Sequence, residues 1–286
     1  MATTALPVIE IAKNTWEIDE FDCGSIFVLE GEEKAMVIDT GTGIGDLRAV
    51  IAGITKKPIV LFITHAHGDH IGGLGWFDEY YMNEADVGKY AMDGVEFRKH
   101  YAKMISDRSG KTYPYDMDAD IRPWPADANP VRHDLVDGQT FDLGGRVVTA
   151  MRAPGHTPGS MVLLDPATRI LFAGDACNCN TLYGTVPGDP TFVSVETAGQ
   201  ALKDIYALKG KVWDKCYNGH HDFRDFGAPL DEEVMPNLIA ICDELVSGNY
   251  EARTVPGMFP GSPDRTVVTK GTVMVTFRAE GIHEPK

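Results

Sequence analysis

The chain has 286 residues, 43% of them apolar and 24% charged, which is an ordinary balance for a globular protein. Its 42 acidic residues outnumber its 26 lysines and arginines, and the net charge of −16 disfavours binding to nucleic acid or to an anionic membrane surface. Because no apolar run is long enough to cross a bilayer and the first residues lack the basic start of a secretory signal, we expect a cytoplasmic protein without a membrane partner.

The first part of the chain alternates strands with a helix. Apolar, β-rich runs predict strands over residues 25–30, 35–39 and 58–63. Apolar residues recur at helical spacing from Leu47 to Ile54, which predicts a helix between the second and the third of these strands. The third strand is apolar throughout, as is typical of a strand that is buried on both faces.

The segment 77–130 is rich in aromatic residues, and its second part is rich in proline and aspartate. The segment contains the aromatic residues Tyr80, Tyr81, Tyr90, Phe97, Tyr101, Tyr113, Tyr115 and Trp124. We expect this segment to form a helical and loop cap whose aromatic residues favour an apolar or aromatic small-molecule substrate. The alternative is a helical pair that only completes the hydrophobic core.

The second half of the chain again alternates strands and helices. Strands are predicted over residues 146–151, 161–165, 170–173 and 212–217. One helix is predicted over 194–209 with Ser194 as its N-cap, and another, marked by apolar residues between 238 and 245, ends at Gly248. The β-rich tail 266–277 predicts a hairpin. No linker divides the chain, so the pattern indicates a mixed α/β protein of one domain.

Four metal-ligating side chains lie within six positions, directly after the predicted strand 58–63. The segment reads His-Ala-His-Gly-Asp-His, and imidazole and carboxylate groups are ligands that suit zinc and similar divalent ions. In an extended segment His65 and His67 point to the same side, because side chains alternate with a period of two. They can therefore bind one ion together, whereas Asp69 and His70 follow a turn and can face a second ion.

This motif and four further ones resemble the signatures of the metallo-β-lactamase superfamily. The further motifs are Asp39-Thr40-Gly41, Gly155-His156-Thr157-Pro158-Gly159, Gly174-Asp175 and Gly219-His220. The resemblance implies an α/β fold, a four-layer αβ/βα sandwich of two mixed β-sheets flanked by helices. We expect residues 1–286 to form a single domain of this kind, with the cap inserted at about 77–130.

The resemblance also implies a dinuclear metal centre. It assigns His65, His67 and His156 to a first ion and Asp69, His70 and His220 to a second, with Asp175 bridging both. Two zinc ions per chain are the expected cofactors, with iron or manganese as alternatives. Five neutral imidazoles and two carboxylates balance two of the four positive charges and leave open positions for water.

The residues next to these ligands allow more than one interpretation. The resemblance places the ligand directly after Gly219, which favours His220 over His221. Adjacent strand residues point in opposite directions, so both histidines cannot serve equally. The resemblance implies that Asp39 holds a ligand imidazole by its second nitrogen, with a plain turn former as the alternative.

An aspartate stands at 175, where the β-lactamases with a cysteine ligand carry that cysteine. The chain therefore resembles the glyoxalase II, lactonase and phosphodiesterase branches more than the zinc β-lactamases. Cys177 and Cys179 follow closely and are expected to be buried thiols, with metal binding or redox sensing as the alternative.

The expected reaction is the hydrolysis of a small-molecule ester, lactone, thioester or amide. Two neighbouring metal ions lower the pKa of a bridging water, and the resulting hydroxide attacks the carbonyl carbon. Asp69 is expected to bind metal and to carry a proton to the leaving group, and Tyr183 is a candidate donor to the oxyanion. The alternatives are a phosphodiesterase, a mononuclear iron oxidoreductase resembling persulfide dioxygenases, and a regulator that has lost catalysis.

Overall fold

The computed structural model of the protein describes residues 4–90, 94–221, 224–257 and 261–285. Its strands are β1 (Val8–Ala12), β2 (Thr15–Asp19), β3 (Ser25–Glu30), β4 (Ala35–Ile38), β5 (Ile59–Phe62), β6 (Glu79–Met82), β7 (Val131–Asp134), β8 (Thr140–Asp142), β9 (Val147–Arg152), β10 (Met161–Asp165), β11 (Ile170–Gly174), β12 (Asn180–Leu182), β13 (Lys215–Asn218), β14 (Arg253–Val255), β15 (Arg265–Lys270) and β16 (Val273–Thr276). Its helices are α1 (Leu47–Ile54), α2 (Gly68–Ile71), α3 (Val95–Ser109), α4 (Val195–Tyr206) and α5 (Val234–Ser247). Within these described ranges, no helix is both long and apolar enough to span a bilayer.

Strands β1 to β7 form one sheet, in the order in which they follow along the chain. Neighbours from β1 to β4 are antiparallel, and neighbours from β4 to β7 are parallel. The two central strands β3 and β4 are buried along almost their whole length, because α1 and parts of α3 cover one face and a second sheet covers the other. Burial on both faces explains why their sequences are apolar without alternation.

The second sheet has the strand order β13-β11-β10-β9-β8 and faces the first sheet across an apolar layer. In this layer the rings of Phe27 and Phe172 lie 4.9 Å apart. Helices α4 and α5 cover the outer face of the second sheet. The predicted α/β sandwich of two mixed sheets flanked by helices is therefore confirmed. Ser194 is the N-cap of α4, as predicted, and its hydroxyl accepts a hydrogen bond of 3.0 Å from the backbone amide of Thr197.

A small third sheet, with the order β12-β16-β15-β14, packs against α5. The predicted hairpin in the tail forms β15 and β16 of this sheet, and it turns at Gly271, whose φ of +56° favours glycine. The other two strands, β12 and β14, have three residues each, which is too short to produce a pattern in the sequence. The third sheet was therefore not predicted.

Two predicted boundaries are corrected by the structure. Strand β6 lies between β5 and β7 in the first sheet, so the predicted insertion begins after β6, and its described residues 83–90 and 94–130 lie outside the sheets; residues 91–93 of the insertion lie outside the described ranges. The strand predicted from 212 begins at Lys215, because Trp213 is buried in a turn and donates its indole N–H to the carbonyl of Ile205 at 3.1 Å. With the first boundary corrected, the described part of the cap consists of residues 83–90 and 94–130.

Candidate metal centre

The predicted ligands follow the carboxyl ends of four strands, in loops and in the short helix α2. His65 to His70 follow β5, His156 follows β9, Asp175 follows β11, and His220 follows β13. Two backbone hydrogen bonds join the sheets at this edge: the Met161 amide donates to Thr64 at 2.8 Å, and the Ser25 amide donates to Gly219 at 2.7 Å. The facing sheets therefore bring residues that are far apart in sequence to one site.

His65, His67 and His156 form a first cluster. The Nε2 atom of His65 lies 3.2 Å from Nδ1 of His67, and Nε2 of His156 lies 2.9 Å from the same Nδ1 atom. Burial, together with the neighbouring imidazoles, lowers the pKa of His65 well below its usual value and the pKa of His156 to about 4. These imidazoles are therefore neutral at pH 7, which is the form that binds metal ions.

Asp69, His70 and His220 form a second cluster. The Oδ2 atom of Asp69 lies 3.4 Å from Nε2 of His220 and 3.8 Å from Nε2 of His70. Helix α2 carries Asp69 and His70 in consecutive positions, and His67 is the residue directly before its first turn. The short helix thus directs its ligands to one cluster and the preceding histidine to the other.

The carboxylate of Asp175 lies between the two clusters. Its Oδ2 atom is 3.6 Å from Nε2 of His156 in the first cluster and 3.2 Å from Nε2 of His220 in the second. Its Oδ1 atom is 3.5 Å from Nε2 of His70. A carboxylate in this position can contact cations in both clusters.

The chemistry of this donor set fits divalent metal ions. Nε2 of His70 and Oδ1 of Asp175 are buried and have no hydrogen-bond partner among the described residues, an arrangement that costs about 1–3 kcal/mol per group. Burial lowers the pKa of His70, but the carboxylates of Asp69, Asp175 and Asp39 outweigh it and raise this pKa to about 10. The carboxylates therefore favour a positive charge at this point, and a divalent cation would supply it.

Asp39 holds the predicted ligand His70 from outside the clusters. Its Oδ2 atom lies 2.8 Å from Nδ1 of His70 and accepts a bond of 2.7 Å from the Thr64 hydroxyl, while Oδ1 accepts the Thr64 amide at 2.7 Å. Asp39 adopts a φ of +63°, which is unfavourable for a residue other than glycine. The buried carboxylate thus does more than form a turn, since it fixes the orientation of the imidazole of His70, a predicted ligand.

A sequence model described as the metallo-beta-lactamase superfamily matches residues 21–212 of this chain. The chain belongs to the metallo-β-lactamase superfamily. The acyl-coenzyme A thioesterase MBLAC2 of Homo sapiens is 30% identical over 236 residues, which cover 77% of this chain and 81% of that protein. The atrochrysone carboxyl ACP thioesterase of Emericella nidulans is 25% identical over 218 residues, which cover 74% of this chain and 52% of that protein.

Among solved structures, a metallo-beta-lactamase from Pontibacter korlensis has the same fold, with a TM-score of 0.53 at 17% identity. The match covers 83% of this chain and 98% of that one. The superfamily match and the thioesterase relatives together identify the chain as an enzyme, a hydrolase of the metallo-β-lactamase superfamily.

In this superfamily member, the buried Asp86 joins two of the ligand loops. Its Oδ2 atom accepts the Ala66 amide at 3.1 Å and the Thr157 hydroxyl at 2.8 Å, and its Oδ1 atom accepts the Gly159 amide at 2.7 Å. A side chain at Gly159 would collide with Asp86, because an added Cβ would lie 2.6 Å from the carboxylate. No sequence pattern indicates this role, since Asp86 lies outside every superfamily motif.

His221 is placed differently from the neighbouring ligand position. Its Nε2 atom lies 2.7 Å from Oδ1 of Asp19, and its Nδ1 atom lies 3.3 Å from Oδ1 of Asp22. Each nitrogen thus faces a different carboxylate, and His221, Asp19 and Asp22 form a group of their own beside the two clusters. The structure brings His220, and not His221, to Asp69 and Asp175.

Tyr183 does not direct its hydroxyl to the ligands. The side chain is buried in the core beneath α4, and its hydroxyl donates to the Ala176 carbonyl at 2.8 Å. The expected role of Tyr183 as a donor to the oxyanion is therefore not retained.

Cys177 is also buried, and a hydrogen bond with Cys216, together with burial, raises the pKa of its thiol well above the usual value. Cys177 is thus a protonated core thiol.

Two tyrosines of the cap reach the metal centre. The ring of Tyr90 meets the imidazole of His67 edge-on, with 4.6 Å between ring centres. Helix α3 packs against α2, and burial together with the negative charge of Asp69 raises the pKa of the Tyr101 phenol well above its usual value. Sequence reasoning included both residues in the aromatic content of the segment but did not single them out, because their approach depends on how the cap packs.

Proposed function

We propose that this enzyme is a thioesterase with two metal ions, zinc being the expected metal, and that it hydrolyses small-molecule acyl thioesters such as acyl-CoA. The observation that carries the proposal is the position of Asp175, within 3.6 Å of His156 in one cluster and within 3.2 Å of His220 in the other. The choice of a thioester is supported by relatives whose names describe them as thioesterases for acyl-CoA and for an acyl carrier protein.

The residues of the two clusters would hold one ion each. His65, His67 and His156 would bind the first, Asp69, His70 and His220 the second, and Asp175 both. When bound, such a pair of ions supplies a hydroxide nucleophile near neutral pH and polarises the carbonyl of the substrate. Asp39 keeps the imidazole of His70 oriented through its 2.8 Å contact with Nδ1.

We assign proton transfer to Asp69. Hydrolysis adds water across the C–S bond, so that the hydroxyl oxygen joins the acyl carbon and a proton joins the leaving sulfur. The Asp69 carboxylate is almost fully buried, and it lies beside His220 in the second cluster. It is therefore placed to carry the proton from the nucleophile to the leaving thiolate.

The proposal is tested by purifying the protein without added metal, measuring its metal content and assaying a substrate panel. We expect about two zinc ions per chain, and thiol release from acyl-CoA substrates that exceeds the hydrolysis of matched oxygen esters and lactones. A content that stays at one ion under metal-replete conditions would contradict the dinuclear centre, and a single iron would favour the dioxygenase alternative. Hydrolysis of lactones or phosphodiesters alone would contradict the choice of substrate.

A matched pair of variants controls this assay. Asp175→Asn keeps the side-chain shape but removes the charge between the clusters, and it should abolish thiol release. Asp204→Asn makes the same change on the exposed surface of α4 and should leave release unchanged. Equal activity of the two variants would show that the measured turnover does not come from this centre.

A further inference from the structure

A buried arginine, Arg224, lies four residues after the predicted ligand His220. Its side chain is only 2% exposed, and it pairs with the fully buried carboxylate of Glu17 in β2. Its Nη2 atom donates to Oε1 of Glu17 at 2.7 Å, and its Nη1 atom donates to Oε2 at 3.1 Å, so the ion pair is bidentate. The pair therefore fixes the guanidinium against the first sheet.

The same guanidinium holds the last residue of β13. Its Nε atom donates to the side-chain oxygen of Asn218 at 2.9 Å, and its Nη2 atom donates to the backbone carbonyl of Asn218 at 3.2 Å. The amide nitrogen of the Asn218 side chain donates to Oδ1 of Asn178 at 2.5 Å, and both asparagines are buried. Asn178 lies three residues after Asp175. We name this hydrogen-bonded chain the Arg224 network, and it consists of Glu17, Arg224, Asn218 and Asn178.

The backbone that the Arg224 network holds lies directly against the metal centre. Gly219 follows Asn218, and an added Cβ at Gly219 would lie 2.5 Å from Oδ1 of Asp175 and 2.6 Å from Cε1 of His70. Because the approach is this close, a displacement of residue 219 would press the backbone into a predicted ligand or move His220 away from Asp175.

We propose that Arg224 is a positioning residue that, through Asn218, holds the loops of Asp175 and His220 in the arrangement that binds metal. For its metal ions the inference rests on the proposed function. Stability of the fold alone does not explain the buried ion pair, because apolar side chains of similar volume often replace such a pair without loss. The directed hydrogen bonds to the side chain and the backbone of Asn218 do explain it, since they fix the chain next to a predicted ligand.

A second buried arginine offers a matched control. Arg146 pairs with the buried carboxylate of Asp165 in the second sheet, and it also donates to the hydroxyl of Thr15 in the first sheet at 2.7 Å. Arg146 directly precedes β9, whereas the predicted ligand His156 follows the other end of that strand. This ion pair therefore also joins the two sheets, but it lies at the opposite end of β9 from the ligand loop.

The test measures how tightly the zinc-loaded enzyme retains its ions against a chromophoric chelator. Arg224→Lys keeps the charge opposite Glu17, but a single ammonium nitrogen cannot replace three guanidinium nitrogens that bind Glu17 and both acceptors of Asn218. We expect the dissociation constant of the more weakly held zinc ion to rise about ten- to hundredfold. Arg146→Lys should leave zinc binding unchanged, although both variants should lower the melting temperature at saturating zinc, because each weakens a buried ion pair.

A double variant keeps the test decisive if Arg224→Lys does not fold. Glu17→Gln combined with Arg224→Met removes both charges together, so that neither stays buried without its partner. Because Asn218 then loses the hydrogen bonds from residue 224, we expect the same loss of zinc affinity as in Arg224→Lys. Zinc binding equal to that of the parent in either folded variant would overturn the inference. So would an equal loss in Arg146→Lys, since the effect would then follow stability alone.

The chelator titration uses no substrate, so it separates this inference from the proposed function. A parent enzyme that hydrolyses no thioester would contradict the proposed substrate, while weaker zinc binding in Arg224→Lys would still support the inference. A parent that retains a single ion would contradict the dinuclear centre. Weaker binding of that ion in Arg224→Lys, but not in Arg146→Lys, would then still support the positioning role, and unchanged binding would overturn it.

Discussion

The ligand loops and the cap reach the metal centre in different ways. Each ligand loop directly follows a strand of one of the two facing sheets, so a short stretch of backbone decides where its side chains point. Tyr90 and Tyr101 reach the centre from a loop and from helix α3, whose positions depend on packing against the first sheet. The predicted ligands thus come from strand ends, while the cap adds contacts that a change in packing can alter.

The largest effect on turnover is expected from a change within the ligand loops. Asp69→Asn keeps the side-chain shape but removes a ligand charge and the proposed proton carrier, so kcat should fall by about 10²- to 10⁴-fold. Thiol release and zinc content are measured on the same preparations, and circular dichroism checks the fold. Near-normal turnover with two zinc ions bound would show that Asp69 does not carry the proton.

A smaller effect is expected from the carboxylate that joins two ligand loops. Asp86 accepts three hydrogen bonds, from Ala66, Thr157 and Gly159. Asp86→Asn replaces one carboxylate oxygen by an amide nitrogen, which cannot accept the one or two bonds made to that oxygen. We expect kcat/KM to fall about ten- to hundredfold. Asp134→Asn is the control, because Asp134 is exposed and accepts the amide of Glu84 in the same short segment. If both variants retain full activity, the two loops are held in place without Asp86.

Alanine substitutions of two tyrosines that are close in sequence, Tyr81 in β6 and Tyr90 in the cap, should affect different properties of the enzyme. Tyr81 lies in β6 and packs against Phe141 and His133, so Tyr81→Ala should lower the free energy of unfolding by about 3 kcal/mol without changing substrate preference. Tyr90 contacts His67, so Tyr90→Ala should change the ratio of kcat/KM between short and long acyl chains by about tenfold.

Thermal unfolding and an acyl-chain panel measure both effects. Unchanged preference in Tyr90→Ala, with reduced stability, would show that the cap serves only to complete the core. A change in preference in Tyr81→Ala would show that the role in selectivity extends into the first sheet.

The smallest effect on the metal centre is expected at His221. Its nitrogens face Asp19 and Asp22, so His221→Gln should leave the zinc content at two ions per chain, whereas the neighbouring change His220→Gln should reduce it to one. Elemental analysis of the two variants measures this directly. Loss of zinc in His221→Gln alone would reverse the assignment of the ligand.

The two regions also differ in what their sequences predict. The sandwich fold and the short motif from His65 to His70 were predictable, because strand periodicity and metal-ligand spacing are properties of neighbouring residues. The hydrogen bonds that Asp86 accepts from Thr157 and Gly159 were not predictable, since these residues lie 71 and 73 positions away in sequence. The contact of Tyr90 with His67 likewise depends on how the cap packs, which no local pattern encodes.

For Tyr183, closeness in sequence to a predicted ligand was a misleading signal. It follows Asp175 by eight positions, and this proximity suggested a place at the site, but β12 and the loop before it turn the ring into the core. Short strands such as β12 leave little trace in the sequence, so the direction of the chain beyond the Gly-Asp motif could not be anticipated.

The position of Asp86 links the metal centre to the integrity of the whole fold. One of its partners, Ala66, lies between two ligands of the first half, and the others, Thr157 and Gly159, lie in the ligand loop of the second half. Unfolding that separates the two facing sheets would therefore separate the predicted ligands, and an ion that binds only the folded protein stabilises it. At a free ion concentration a thousand times the dissociation constant, this adds about 4 kcal/mol to the free energy of unfolding, so the melting temperature of the enzyme reports how much metal its surroundings provide.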